Sequence, residues 1–145
     1  MHGLHQLSTC HQLPFLQTAR TVADLCTEGS LCTVSADGFP IGAPVSYRLD
    51  QDGNPVMAIV SGSPEAANLE RSNRVSLLVQ PITQPARGVA AVALQGSTAA
   101  ADTQDDAPDG TQLVKLTVDS CVYYGGLDHV SAAAAIGCNK SDQQY

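Results

Sequence analysis

Alternation of apolar and polar positions dominates the middle of the chain. Leu31, Thr33 and Ser35 alternate with Cys32, Val34 and Ala36, a strand-type composition. Asp37 and Gly38 then give a turn signal, and Ile41–Leu49 reads as a second strand. Pro44 inside that strand has no N–H to donate, so it predicts an edge or a bulge there. A second turn over 50–54 leads into a third strand, Pro55–Val60. Ser63 is placed to cap a short helix, with Pro64 in its first turn, Glu65 near its positive end and a stop near Arg71. Arg74–Val79, Val89–Ser97 and Leu113–Tyr124 follow as three more strands, and Leu127–Ile136 fits either strand or helix. Ahead of them all, Phe15, Ala19, Val22 and Cys26 recur at i, i+4, i+7 and i+11. That stripe predicts an amphipathic helix opening at Pro14 and ending near Gly29.

No long helix separates the strands between Leu31 and Val60, so they are antiparallel neighbours. The prediction is a mainly β fold of about six strands with short helices, a small barrel or sandwich. The expected domain covers 14–136, with polar tails at 1–13 and 137–145. At 145 residues the chain is long enough to bury a core without disulfide or metal staples. With 4% aromatic residues and no Trp, that core must be aliphatic.

Charge narrows the function classes. The net charge is −7, and the cations are not clustered, which disfavours nucleic acid and anionic membrane surfaces. No apolar run reaches the roughly 18 residues that a spanning helix needs. The N-terminus has no Lys or Arg before Arg20 and no apolar signal core, so no intact targeting segment is expected. Five cysteines without a CxxC pair point to free thiols in a reducing compartment. The chain contains no GxSxG, GxGxxG or HExxH motif.

An ordered series of residues resembles a known family. Arg20-Thr21, the run 29–35, the turn and strand start over 37–42, Asp50 with 52–56, Asn68-Leu69, Arg74–Val79 and Ala93–Ser97 together resemble the split barrels related to pyridoxamine-phosphate oxidase. The sub-branch it is most similar to holds the plastid glutamyl-tRNA-reductase-binding protein and the haem-utilisation relatives. The resemblance implies a six-stranded antiparallel split barrel that pairs as a homodimer. It also implies FMN at the dimer interface in active members, haem in the haem-utilisation members, and glutamyl-tRNA reductase as the partner of the plastid members. Relatives of that branch carry a further α/β domain after the barrel, whereas the present sequence runs to Tyr145.

Flavin-binding members of the family place basic residues in the loop and helix after the third strand, where they grip the phosphate. Here Ser61–Asn68 holds no Lys or Arg and includes Glu65, which repels a phosphate. Ser61, Ser63, Asn68 and the helix start supply neutral donors, while Arg48 and Arg74 are the nearby cations. Arg48 has the fork to clamp a carboxylate or phosphate, or it is a surface charge beside Asp50 and Asp52. Tyr123 lines a pocket, or packs while Tyr124 faces water. His129 is placed as a haem ligand or as a surface polar residue. His2, His5, Cys10 and His11 match no closed zinc spacing and read as a tail. Asp105, Asp106 and Asp109 lack calcium-loop spacing and read as a solvated loop.

The expected function is that of a non-catalytic or weakly catalytic binding or regulatory protein linked to haem or tetrapyrrole metabolism. The alternative is an FMN-dependent oxidoreductase with Arg48, Arg74, Ser61 and Ser63 as a remodelled phosphate site.

Overall fold

The computed structural model describes residues 19–81, 91–125 and 130–135. Seven strands run in chain order: β1 (Glu28–Val34), β2 (Pro40–Leu49), β3 (Pro55–Val60), β4 (Arg74–Val79), β5 (Ala91–Ala100), β6 (Thr111–Gly125) and β7 (Val130–Ala135). Helix α1 covers 19–25, and α2 is Pro64–Arg71. All pairings are antiparallel, in the order β3-β2-β1-β4-β5-β6-β7, and β3 also pairs with β6. That last pairing closes six strands into a barrel and removes their edges.

Strand β6 explains why the barrel is split. Its first part, Thr111–Lys115, closes on β3, while Ser120–Gly125 pairs with β7. The segment that fitted either strand or helix is therefore a strand where it is described, Val130–Ala135, because β6 offers it a ladder. Between the two parts of β6 lies a bulge: Gln95 faces Ser120 but Gly96 faces Val118, leaving Asp119 as the extra residue. Only glycine fits at 96, since a Cβ there would lie 1.9 Å from the Thr117 carbonyl oxygen.

Alternation sorts the faces as the strand pattern predicts. Leu31, Met57, Ile59, Leu77, Val79, Val92 and Leu116 are fully buried, an aliphatic core. Pro44 sits beyond the last β2–β3 pair, Ser46↔Ala58, so its missing N–H costs no bond on that side. Strand β3, α2 and β4 have the bounds the sequence predicts.

Other bounds move: β1 starts at Glu28 before Leu31, β5 runs past Ser97 to Ala100, and β6 spans Thr111–Gly125 where Leu113–Tyr124 was expected. The first helix was expected to reach Gly29, yet helical structure stops at 25 and β1 starts at Glu28. Ladder pairing outweighs the local preference: the Tyr47 N–H donates to the Thr27 carbonyl at 2.9 Å, and Glu28 pairs with Ser46. The 101–110 stretch keeps its acidic side chains exposed but is not merely a solvated link. The Gln104 side chain imitates a neighbouring strand, donating to the Leu113 carbonyl at 2.9 Å and accepting from its N–H at 3.0 Å.

Candidate functional site

The stretch after β3 is where a split barrel of this pattern would hold a phosphate. Ser63 and Asn68 within it are already committed to the fold. The Ser63 hydroxyl caps α2, accepting from the Ala66 N–H at 3.2 Å. Glu65 occupies the first turn and complements the helix dipole. The Ser61 side chain is exposed, and its N–H is spent on the Gly110 carbonyl at 2.9 Å. Asn68 is 3% exposed. Its amide donates to the Thr33 hydroxyl at 3.0 Å and accepts from the Arg71 guanidinium. Asn68 thus pins α2 to β1 from the inside.

The remaining sequence-predicted residues are spread around the barrel. Arg48 is exposed on β2, with a weak, fully hydrated contact of 4.0 Å to Asp106. It sits opposite Val56 on β3, five residues before Ser61, or roughly 17 Å along a strand. Arg74 opens β4 opposite Ser97 and is exposed. Tyr123 pairs with Val92 and packs part-buried against the core. Within one chain Arg48 therefore stands well apart from Ser61. His129, like His2, His5, Cys10 and His11, lies outside the described residues.

The 61–70 stretch contains no Lys or Arg to pair with a phosphate. Arg71 stands at the far end of α2, where the helix carries its negative pole. These residues do not fit the phosphate of FMN. Among the described residues no group of three His, Cys, Asp or Glu side chains gathers as a metal would require.

A cleft that the pattern of motifs did not reveal lies between α1 and the 50–54 turn. Ala19, Arg20 and Ala23 form one wall; Asp52, Gly53 and Asn54 form the other, over Leu49, Leu94 and Val118. Its free volume of about 40 Å³ admits a few waters, against several hundred Å³ for a cofactor pocket. A network from β6 holds its rim. Asp50 accepts from the N–H groups of Asp52 and Asn54, each at 2.9 Å, and from Lys115 Nζ at 2.9 Å. Asn54 Oδ1 accepts the Val118 N–H at 3.1 Å, beside the β6 bulge. Burial works to raise the Asp50 pKa. The hydrogen bonds from Lys115, Asn54 and Asp52, with the Lys115 charge, outweigh it and hold the carboxyl below its ordinary value. The hydrogen bond and charge of Asp50 in turn raise Lys115. The sequence signal was the Asp-x-Asp-Gly-Asn string, which announces a turn but not its distant partners.

Tyr47 anchors the other wall. Its hydroxyl donates to the Ala23 carbonyl at 2.5 Å, and burial, then the nearby Cys26 and Asp24, push its pKa well above the usual phenol range. Cys26, Cys32 and Cys121 are free. Burial raises the thiols of Cys26 and Cys121, so neither is an activated thiolate.

Known proteins align with this architecture. A family profile described as pyridoxamine 5'-phosphate oxidase matches residues 15–122. The chloroplastic glutamyl-tRNA reductase-binding protein of Arabidopsis thaliana is 35% identical over 43 residues, which is 30% of this chain and 14% of that protein's length. A haem-binding protein from Mycobacterium smegmatis superposes with a TM-score of 0.69 at 20% identity, covering 81% of this chain and 56% of its own. The haem storage protein HutZ of Vibrio cholerae superposes with a TM-score of 0.61 at 16% identity, covering 80% of this chain and 97% of its own. At these identities the two structures establish a shared fold.

Proposed function

The chain belongs to the pyridoxamine 5'-phosphate oxidase family, and from that membership we propose a binding or regulatory role, without catalysis of its own, linked to haem or tetrapyrrole metabolism. The observation that carries this reading is the α2 entry. Ser63 is spent on a cap, Glu65 stands at the positive end of the helix dipole, and no cation stands within 61–70. A scaffold of a flavin barrel without the charge for a flavin phosphate suits a protein that binds something else. The haem-binding and haem storage neighbours support haem, and the glutamyl-tRNA reductase-binding relative supports a protein partner in tetrapyrrole synthesis, with a plastid as one setting.

Because Arg48 stands far from Ser61 within one chain, the reading includes a homodimer in which a second copy completes the pocket. His129 is the residue proposed to ligate haem iron. The rival reading, an FMN-dependent oxidoreductase, draws on the family itself. It needs Arg48 to act with Ser61 and Ser63, which the roughly 17 Å of strand between them opposes.

The test is an absorbance titration of the purified chain with FMN and then with haemin, together with a sizing column. Haemin is expected to give a saturable Soret shift that His129→Ala weakens, while FMN stays unbound. A protein that purifies yellow with stoichiometric FMN overturns the proposal. A monomer at high concentration overturns the shared pocket.

A further inference from the structure

One corner of the barrel gathers features that neither the core nor a cofactor explains. Phe39, at the tip of the β1–β2 hairpin, is 69% exposed, and Val34 beside it is 46% exposed. Pro40 is exposed as well. The tip is held in this posture: the Ser35 N–H donates to the Phe39 carbonyl at 2.8 Å, and the Phe39 N–H donates to Ser35 Oγ at 3.0 Å. Val34 lies two residues past the last β1–β4 pair, Cys32↔Ser76, and Arg74 two residues before Ser76, so both stand at this end of the β1–β4 seam. Arg71 ends α2 three residues before Arg74, and its guanidinium is held by Asn68, which bonds Thr33 on the buried side of β1, opposite to the side Val34 faces.

The charges here are unusual for this chain. The molecule carries a net −7, yet Arg71 and Arg74, three residues apart, make no ion pair among the described residues. Glu70 and Asp37, their neighbours in sequence and on the hairpin, come within pairing distance of neither. Arg71 is braced from beneath by a buried Asn–Thr bridge instead of swinging free, which lowers the entropy lost when it engages a partner. An exposed aromatic, flanking aliphatic groups and two arginines, one of them braced, make up the composition enriched where proteins bind one another.

We propose that this corner, built from Val34, Phe39, Pro40, Arg71 and Arg74, is a protein-docking surface for a segment rich in Asp and Glu that carries an apolar side chain. The carboxylates would pair with the two arginines, and the apolar side chain would cover Phe39. Nucleic acid is disfavoured, because two cations on an acidic molecule release too few counterions to hold a phosphate backbone. The surface stands apart from the start of α2 and shares only Arg74 with the candidate cofactor positions, so Phe39→Ser tests it independently of the ligand proposed above.

Labelled ten-residue peptides are the probe, read by fluorescence anisotropy and by amide shifts of the ¹⁵N-labelled full chain. One peptide is Asp/Glu-rich with a central Leu, one lacks the Leu, and one has Lys/Arg in place of the acids. The first is expected to bind, shifting amides at 34–40 and 71–74. The second should bind more weakly and the third not at all. Arg74→Ala and Phe39→Ser are each expected to weaken binding by about tenfold with an unchanged melting temperature. No binding at millimolar peptide, equal binding of all three, shifts confined to other regions, or binding only to phosphatidylserine vesicles would each overturn the proposal.

Discussion

The two turns that flank β2 carry the same Asp-Gly punctuation and have opposite fates. At the β1–β2 tip, Asp37 and Gly38 build a hairpin tied only to itself, and Phe39 is left in solvent. At the β2–β3 turn, Gly53 has a φ of +80°, and the whole turn is bolted to β6 through Lys115 and the Val118 N–H. The lesson is that a turn motif specifies local geometry and nothing more. Whether the turn becomes a structural joint or a free surface depends on what the fold brings against it. A joint here forms the rim of the cleft, while a free tip is open to a partner.

The difference can be broken most severely from the β6 side. Gly96→Ala is expected to destabilise the fold by about 3 kcal/mol, because the new Cβ collides with the Thr117 carbonyl and the bulge beneath the anchored turn must shift. Urea unfolding measures it. Asn54→Ala should cost roughly 2 kcal/mol in the same assay, since it leaves the part-buried Val118 N–H without its acceptor.

The Asp50 contribution is smaller and depends on pH. Its folded pKa is depressed, so its stabilisation is fully present above the unfolded value of about 3.9 and is lost as pH falls through the folded value. Asp50→Asn should therefore make the acid limb of stability against pH less steep below about pH 4, read as melting temperature against pH. The smallest effect belongs to the other turn. Phe39→Ser should change stability by less than about 0.5 kcal/mol, because a side chain that covers no core has nothing to lose. A cost as large as that of Asn54→Ala would show that the tip is a joint after all.

Much of the architecture was legible from local chemistry. The Ser63-Pro64-Glu65 start of α2, the bounds of β3 and β4 and the aliphatic core follow from caps and alternation. The candidate site was legible only as a missing charge. That Asn68 is an internal tie, that Arg48 and Ser61 stand far apart along β3, and that Gln104 stands in for a strand could not be read from their neighbours in sequence.

The sequence by itself therefore determined most of the strands, where the turns beside β2 fall and that 61–70 holds no Lys or Arg, because each of these rests on residues within a few positions of one another. The tertiary structure alone decided which of two similar turns is anchored. Asn54 meets Val118 across 64 residues, and Asp50 meets Lys115 across the β3–β6 seam. No local pattern encodes such a meeting, since it arises only when β6 crosses β3 and closes the barrel.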